Sequence, residues 1–367
     1  MRIMIMAGGT GGHVFPALAV ANELRAQGAE IIWMGTRSGL EAQIVPKAGI
    51  QIEWVTISGL RGKGLFSLLL APFRLLVALY QALNILMRHR PMVVLGMGGF
   101  VAGPGGLMTW LLRKPLLIHE QNAVAGVTNR LLARVATKVV TAFPAVLPKA
   151  VHLGNPVRKE ITCLPKPDER FENRQGALRL LVIGGSLGAA VFNEVVPAAL
   201  AQLAQKQGKD IPPIDVWHQA GSRNIEEAES QYRKMNVEGR VEPFIDDMAA
   251  AYAWADVVLC RAGALTVSEL AAAGVASILV PYPYAVDDHQ THNANYLVSA
   301  GGGKLLPQNQ LNVESLSQLI GTLSRIELLE MAQAARSEAK PDATQSVASL
   351  CRELAEEGIG SRQGEVQ

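Results

Sequence analysis

The sequence predicts an α/β protein made of two doubly wound, Rossmann-like domains. Three observations favour this class: short apolar runs alternate with helical patterns, glycine or proline flanks several runs, and the second half of the chain repeats the outline of the first. Wholly apolar runs are typical of parallel strands that helices cover on both faces. A chain of 367 residues is long enough for two such domains.

Eight runs are predicted to be buried strands: residues 3–7, 31–34, 93–95, 116–119, 138–141, 178–183, 257–260 and 277–280. Helical patterns lie between them, for example over residues 17–27 and 266–273. Strands that alternate with helices form βαβ units, and such units build a parallel sheet.

These units divide into a first domain over residues 1–160 and a second over residues 178–345. A linker over residues 161–177, rich in proline and charge, is predicted to join them. Residues 346–367 are predicted to hold the end of a C-terminal helix and, after Glu357, a mobile tail of low apolar content.

The composition restricts the class of partner. Hydrophobic residues make up 49% of the chain and charged residues 18%, with a mean hydropathy of +0.19, which indicates deeply buried sheets or contact with a membrane. A net charge of +2 and an aromatic content of 5% argue against nucleic acid as the main partner. The three cysteines show neither disulfide nor zinc spacing, and the N-terminal apolar run is too short for a signal peptide, so a cytoplasmic protein is expected.

The most informative motif is the glycine-rich turn over residues 8–13, between the first strand and a helical pattern that starts at Pro16. Glycines let the backbone approach a ligand closely, and the start of a helix offers unpaired N–H groups to negative charge. A ligand with phosphate or sugar groups is therefore expected. His13 ends the turn, where its imidazole either exchanges a proton with the ligand or only caps the turn.

The glycine turns do not match the dinucleotide fingerprint. Counted from Gly9, the sixth position is a valine, and Thr36 stands where an acidic residue would bind the ribose. Counted from Gly184, the third position is a serine, and no P-loop motif occurs in the sequence. Further glycine turns follow predicted strands at residues 96–99 and 261–263, and four turns in matching places favour ligand loops over simple tight turns.

A second candidate ligand loop covers residues 263–269, where a turn enters a helix with Thr266 or Ser268 near its start. Backbone N–H groups at such a start bind a diphosphate, and Glu269 in the first turn would accept both hydroxyls of a ribose. The alternative is structural, because Thr266 and Glu269 have the spacing of a capping box.

Residues 287–293, with the sequence DDHQTHN, follow a strand and two prolines. This segment is predicted to be a loop that holds sugar hydroxyls through Gln290 and Asn293, or else a solvated surface loop. A metal site is disfavoured because the segment lacks a D-x-D pattern and its histidines lack the spacing of a helical zinc pair. The sequence therefore predicts no metal and no other cofactor.

The most apolar long stretch, residues 65–87, is predicted to be an amphipathic helix and not a transmembrane span. At helical spacing its polar stripe holds Arg74, Gln81, Asn84 and Arg88, and its apolar stripe holds Leu68, Pro72, Leu75, Leu76, Leu79, Leu83 and Leu86. The helix either buries its leucines on its own sheet or forms part of a membrane patch. That patch would comprise Leu68, Leu75, Leu76 and Leu79 with Arg61 and Lys63, and Arg88, Arg90, Arg113 and Lys114 would add attraction to anionic lipid.

Eight motifs occur along the chain in this order: GGTGGHVFP (8–16), ISGLRGKG (57–64), GMGGFVAGPGG (96–106), HEQNAVAG (119–126), GNPVR (154–158), GGSLGA (184–189), FIDDM (244–248) and GALTVSE (263–269). Together they resemble the MurG family of bacterial peptidoglycan N-acetylglucosaminyltransferases, and the resemblance covers roughly residues 1–350.

The resemblance implies a GT-B architecture, in which two Rossmann-like domains face each other across a cleft. It implies an inverting enzyme that moves GlcNAc from UDP-GlcNAc to the C4 hydroxyl of the MurNAc of lipid I, giving lipid II and UDP for cell-wall synthesis, cell shape and cell division. The second domain would hold the donor. The first would face the lipid acceptor at the cytoplasmic face of the inner membrane, to which the protein would bind peripherally, with other cell-wall synthesis proteins as further partners.

The resemblance also assigns roles to single residues. His13 matches the candidate general base, and His119, next to Glu120, is a rival. Leu187 and Ala262 stand where many members carry glutamine and serine, so donor contacts through these two side chains are in question. The positions that match donor contacts are Thr10, Gly11, Gly12, Asn122, Arg158, Ser186, Ile245, Ala264, Leu265, Thr266, Val267, Ser268, Glu269 and Gln290.

Two other functions stay open from the sequence. One is a UDP-GlcNAc epimerase of the same fold, which would need acid and base groups around the donor sugar and no lipid-facing surface. The other is a non-catalytic membrane subunit that binds a nucleotide sugar.

Overall fold

The chain forms two compact units in a computed structural model that describes residues 1–59, 70–185, 188–206 and 212–364. Unit 1 comprises Met1–Val157 and Pro341–Gln367, and unit 2 comprises Arg158–Lys340. Residues 161–177, predicted to be a linker, lie within unit 2 and include two short helices.

Thirteen strands lie in the described residues. They are β1 (Arg2–Met6), β2 (Glu30–Gly35), β3 (Gln51–Trp54), β4 (Val93–Gly96), β5 (Leu116–Glu120), β6 (Lys138–Thr141), β7 (Val151–His152), β8 (Leu178–Ile183), β9 (Ile214–Gln219), β10 (Arg240–Glu242), β11 (Val257–Cys260), β12 (Ala276–Leu279) and β13 (Gly303–Leu305).

The α-helices of the same residues alternate with these strands. They are α1 (Gly11–Ala26), α2 (Glu41–Lys47), α3 (Ala71–His89), α4 (Ala102–Leu111), α5 (Val127–Leu132), α6 (Lys159–Thr162), α7 (Pro167–Phe171), α8 (Ala190–Lys206), α9 (Ile225–Lys234), α10 (Met248–Trp254), α11 (Ala264–Ala273), α12 (His289–Ser299), α13 (Val313–Gly321), α14 (Arg325–Ser337) and α15 (Ala343–Gly364).

Unit 1 is a parallel sheet in the order β3-β2-β1-β4-β5-β6-β7 with helices on both faces. Successive residues of β1 point to opposite faces, so Ile3 and Ile5 enter one core while Met4 and Met6 enter the other. Helices α1 and α15 cover the first face, and α3 and α4 cover the second. The strand order reverses between β1 and β4, and ligands of such sheets bind at the carboxyl ends of the strands at this point.

Unit 2 repeats the plan with the order β10-β9-β8-β11-β12-β13, and all of its strand pairs are parallel. Its core joins β8, β11 and β12 to α8, α13 and α14 through residues such as Phe192, Leu316 and Met331. The order reverses between β8 and β11. The carboxyl ends of these two strands lead into Gly184 and Gly185 and into the turn at residues 261–263.

The predicted doubly wound architecture and all eight predicted strands are confirmed. Five further strands escaped prediction: β3, β7, β9, β10 and β13. Four of them are the outer strands of the two sheets, where exposure permits polar residues and the apolar run is lost.

The predicted start of the first helix at Pro16 is wrong, because α1 begins at Gly11. Two glycines and a proline are poor helix formers, so local propensity argues against these first turns. Tertiary packing overrides it: Val14, Pro16 and Ala17 are buried. As a consequence, Gly11, Gly12 and His13 lie inside the first turn of a helix.

The turns after β1 and β4 approach so closely that side chains would not fit. A Cβ atom added at Gly99 would lie 2.3 Å from the carbonyl oxygen of Gly8. Gly99 also has a φ of +83°, which disfavours other residues. Glycine at this position therefore permits the two turns to meet.

We expect Gly99→Ala to lower the free energy of unfolding more than Gly28→Ala does. Both glycines have a φ of +83°, so each alanine adds backbone strain of about 1–2 kcal/mol. Nothing lies within 4 Å of a Cβ at Gly28, whereas Gly99 adds the clash with Gly8, for roughly 2 kcal/mol more. Chemical denaturation of both variants measures the difference, and equal losses would contradict the packing argument.

Candidate functional site

The carboxyl ends of β1, β4 and β5 bring together most of the residues predicted in the first domain. Thr10 is the N-cap of α1, and Gly11, Gly12 and His13 form its first three positions. The backbone N–H groups of His13 and Val14 both donate to the carbonyl oxygen of Thr10. The first two helical residues keep N–H groups that have no partner within the helix, and such groups favour an anion or an oxygen-rich ligand.

The imidazole of His13 packs against the turn that follows β4. A Cβ at Gly98 would lie 2.5 Å from Cδ2 and 2.9 Å from Nε2 of this ring. Because Gly98 has a φ of +93°, the turn needs glycine for its backbone as well as for space. His13 is half-buried in this position.

The loop after β5 is built around the buried carboxylate of Glu120. Its Oε1 accepts hydrogen bonds from the backbone N–H and the amide Nδ2 of Asn122, at 2.9 and 3.4 Å. Its Oε2 accepts from the N–H of Gly126 at 3.1 Å and from Asn129 Nδ2 at 2.9 Å. Glu120 therefore fixes the position of Asn122, the predicted donor contact of this loop.

His119, the predicted rival base, is fully buried. Its Nε2 lies 3.0 Å from the carbonyl oxygen of Gly154. Burial lowers the pKa of His119 to about 4, against a smaller opposing effect of the Gly154 hydrogen bond, and the charge of His13 lowers it further. A buried, weakly basic ring is poorly suited to take a proton from a ligand, which argues against His119 as the base.

In unit 2, helix α11 begins at Ala264 with Gly263 as its N-cap. Thr266, the third residue of the helix, stands near its start as expected, whereas Glu269 lies in the second turn and not in the first. The capping-box alternative is also wrong, since the carboxylate of Glu269 bonds to Arg158 and Tyr252 and Gly263 is the cap. A glycine at the cap leaves the first N–H groups of α11 open to a ligand.

Glu269, Arg158 and Tyr252 form a hydrogen-bonded group at the side of α11. Glu269 Oε1 accepts from Arg158 Nη2 at 3.0 Å, and Oε2 accepts from the hydroxyl of Tyr252 at 3.1 Å. Burial raises the pKa of Glu269, while the positive charge and hydrogen bond of Arg158 act in the opposite direction. The side chain of Arg158 is 37% exposed whereas that of Glu269 is 7% exposed, so Arg158 is the more accessible member of the pair.

The segment 287–293 is not the loop that its polar sequence predicted. A 3₁₀ turn spans Val286–Asp288, and α12 begins at His289. Asn293 is buried, and its Nδ2 donates to the carbonyl oxygen of Ala262 at 3.2 Å, so its expected contact with a sugar hydroxyl is wrong. Gln290 is half-buried, and its Oε1 accepts from the N–H of Tyr282 at 2.9 Å, which leaves its amide nitrogen for a ligand.

Sequence reasoning overlooked Arg261, at the carboxyl end of β11. Its guanidinium donates to the carbonyl oxygens of Val280 and Pro281, each at 3.3 Å, and to Gln308 at 2.6 Å. These bonds fix the chain that leaves β12 and so support the segment that carries Gln290. The sequence signal that could have indicated this role is an arginine directly after a buried strand, because a charged side chain at such a position needs hydrogen-bond partners.

Two other predicted donor residues are Ile245 and Ser186. Ile245 lies between β10 and α10, and its side chain is buried. Burial of the side chain is compatible with a ligand contact through the backbone. Ser186 and the departure at Leu187 lie outside the described residues. No group of three or more metal-ligating side chains occurs within the described ranges.

Helix α3 divides the predicted apolar stripe into two parts. Leu79, Leu83 and Leu86 pack on the core, together with Ala78, Ala82 and Ile85. Leu75 and Leu76 stay 46% and 64% exposed, beside the still more exposed Phe73 and Tyr80. The expected polar stripe is not solvated throughout, since Gln81 accepts from the N–H of Thr56 at 2.7 Å. The patch residues Arg61, Lys63 and Leu68 lie outside the described residues.

Next to this helix, α4 also exposes large apolar side chains, namely Leu107, Trp110 and Leu111. A cavity of about 590 Å³ lies where the two helices end, lined by Asn84, Leu86, Met87, Arg88, Arg90, Leu112 and Lys114. Among the helices of the described part of the chain, none combines the length and the apolar character needed to cross a bilayer.

Comparison with known proteins gives the class of this chain. Residues 3–141 match the glycosyltransferase family 28 N-terminal domain, and residues 179–347 match the glycosyltransferase family 28 C-terminal domain. Solved structures agree: MurG of Acinetobacter baumannii is 43% identical, superposes with a TM-score of 0.83, and the match covers 96% of this chain and 99% of that one. The fold is thus a GT-B glycosyltransferase fold.

Curated relatives narrow the family. A protein of Nitrosococcus oceani is 58% identical over 360 residues, covering 97% of this chain and 99% of the relative. A protein of Dechloromonas aromatica is 54% identical, covering 96% of this chain and 99% of the relative. Both are named UDP-N-acetylglucosamine--N-acetylmuramyl-(pentapeptide) pyrophosphoryl-undecaprenol N-acetylglucosamine transferase. The chain belongs to this family of glycosyltransferases and is an N-acetylglucosaminyltransferase.

We expect His119→Gln to weaken the pH dependence of stability. The pKa of His119 is about 4 in the folded chain and near 6.5 when unfolded, so between these values only the unfolded state binds the proton. Stability is therefore lost as pH falls through this window, by roughly 3 kcal/mol at full extent. The free energy of unfolding at pH 7 and pH 4.5 measures this, and equal pH dependence in both proteins would refute the assignment.

Proposed function

We propose that this enzyme transfers GlcNAc from UDP-GlcNAc to the C4 hydroxyl of the MurNAc of lipid I, with inversion, giving lipid II and UDP. The observation that carries the proposal is the identity of 58% over nearly the whole length to a relative named for this reaction. The described site residues support it, because they offer N–H groups and a cation for a diphosphate and a half-buried imidazole for a hydroxyl. The epimerase and the non-catalytic subunit are not favoured, since the relatives are transferases.

In this proposal unit 2 binds the donor. The open N–H groups at the start of α11 and the guanidinium of Arg158 offset the negative charge that develops on UDP as the bond to the sugar breaks. Glu269 binds the ribose hydroxyls through lone pairs that Arg158 and Tyr252 leave unused, since each carboxylate oxygen accepts one bond in the described structure. Gln290 contacts the sugar through its amide nitrogen, and Ile245 contacts uracil through its backbone.

Unit 1 supplies the acceptor side. His13 takes the proton of the C4 hydroxyl while that oxygen attacks the anomeric carbon of GlcNAc and the bond to the diphosphate breaks. Thr10, Gly11, Gly12 and Asn122 add polar contacts to the donor. General-base catalysis of this kind is typically worth about 10²–10⁴-fold in rate.

The proposal is tested by incubating the protein with UDP-GlcNAc, with and without a lipid I analogue. Transfer predicts that UDP is released only when the acceptor is present. Isomerisation of the donor sugar would support an epimerase. Donor binding without either reaction would support a non-catalytic subunit.

We expect His13→Ala to lower turnover at least about 100-fold, because the general base is lost. Binding of UDP-GlcNAc should stay within a few-fold of wild type, because the N–H groups of unit 2 that bind the donor are unchanged. Steady-state kinetics and calorimetric titration measure the two effects. His89→Ala is the control: this histidine pairs with Glu53 at 2.7 Å, at the end of α3. Near-normal turnover of His13→Ala would assign the base to another group.

The exposed face of α3 and α4 supports a further part of the proposal, peripheral binding to the cytoplasmic face of the inner membrane. A contiguous apolar surface on adjacent helices is costly in water and marks an interaction site. Arg88, Arg90 and Lys114 at the neighbouring cavity add attraction to anionic headgroups. A lipid-linked acceptor needs an enzyme that works at the membrane surface.

We expect the double variant Leu75→Gln, Leu76→Gln to bind anionic vesicles at least about tenfold more weakly at low salt, because two exposed apolar side chains no longer enter the headgroup layer. Vesicle flotation measures the bound fraction. Ile326→Gln, at a residue of unit 2 that is 75% exposed, is the matched control. The idea fails if the wild-type protein does not float or if the double variant floats equally well.

A further inference from the structure

One fully buried carboxylate in unit 1 has no place in the mechanism above. Glu41, the first residue of α2, is 0% exposed. Its Oε1 accepts from the N–H of Thr36 at 2.9 Å and from the hydroxyl of Thr36 at 2.7 Å. Its Oε2 accepts from the N–H of Gly9 at 2.9 Å, in the glycine turn that leads to His13.

Glycines make the room for this carboxylate. A Cβ at Gly8 would lie 2.5 Å from Oε1, and one at Gly39 would lie 2.0 Å from Oε2. A second bond runs in the opposite direction, from the N–H of Leu40 to the carbonyl oxygen of Gly9 at 3.1 Å. Both polar groups of the Gly9 backbone are thus bound to the segment that starts α2.

The position of the carboxylate explains why the first glycine turn resembles a nucleotide site without matching one. The residue that follows β2 is Thr36, where a dinucleotide-binding chain has its ribose-binding acid. Glu41 reaches the same strand end from the next helix, but its oxygens bond to the protein. It also engages the N–H of Gly9, which is therefore not open to a phosphate.

We propose that Glu41 is a positioning residue, which fixes the turn at Gly8 and Gly9 so that the first turn of α1 presents His13 to the acceptor hydroxyl. The inference rests on the proposed role of His13. Removing a buried partner leaves the Gly9 N–H unsatisfied and frees the turn to shift, and small displacements of a reacting group cost about 10- to 100-fold in rate.

The test compares Glu41→Gln with Thr36→Val in the UDP-release assay. A glutamine satisfies Thr36 with its carbonyl oxygen but turns an NH₂ group toward the Gly9 N–H, so the bond to the turn is lost. We expect kcat to fall about 10- to 100-fold, with KM for UDP-GlcNAc within about threefold. Thr36→Val removes one bond to Glu41 and keeps the Gly9 bond, so we expect kcat within about threefold of wild type.

A double-mutant cycle separates positioning from general destabilisation. If Glu41 acts through His13, adding Glu41→Gln to His13→Ala lowers kcat by less than about twofold further. A full multiplicative loss would refute the proposal, as would wild-type kcat in folded Glu41→Gln protein. Should Glu41→Gln fail to fold, Gly39→Ala displaces the same carboxylate by steric contact, at a glycine without positive φ, and the same outcomes apply.

The two proposals fail in distinguishable ways. A wild-type chain that releases no UDP with the lipid I analogue would refute the transferase proposal itself. An active wild type with unaffected Glu41 and Gly39 variants would refute only the role of Glu41.

Discussion

The close approach of two glycine turns at the carboxyl ends of β1 and β4 is the constraint on which unit 1 depends. Glycine backbone occupies the space between the two turns, where a side chain would not fit. Gly99 faces the carbonyl oxygen of Gly8, and Gly98 faces the ring of His13. Any Cβ here would separate the loops that the strand-order reversal brings together. The imidazole of His13 is thus positioned by neighbours that have no side chains.

Three buried carboxylates also fix the loops and side chains of the candidate site, and they act in similar ways. Glu41 fixes the turn after β1, Glu120 fixes the loop after β5, and Glu269 holds Arg158 beside α11. Each accepts bonds from N–H, amide or guanidinium donors, which compensates for the loss of water around a buried charge. The Glu269 group differs in that it holds a cation, and the side chain of that partner, Arg158, is 37% exposed.

Much of this architecture was predictable from the sequence. Buried central strands leave apolar runs, and glycine turns after such strands mark the ligand edge of the sheet, so eight of the thirteen strands in the described residues were predicted. The start of α1 at Gly11 was not predictable, because glycine and Pro16 have low helix propensity and the helix forms there only through tertiary packing. The partner of Glu269 was not predictable either, since Arg158 lies 111 residues away. Nothing in the local sequence pattern distinguishes an acidic residue of a capping box from one in a buried ion pair.

The last helix has a consequence for how the protein is made. Val347, Ala348 and Cys351 of α15 are buried in the same core as Ile3 and Ile5 of β1. The first 157 residues thus leave the ribosome with one face of their sheet incomplete, and unit 2 is synthesised before the missing helix arrives. A contiguous unit 2 is able to close its core during translation, whereas unit 1 exposes apolar surface until nearly the whole chain has emerged. Unit 1, the half that carries His13, is therefore the half whose core is completed last as the chain grows.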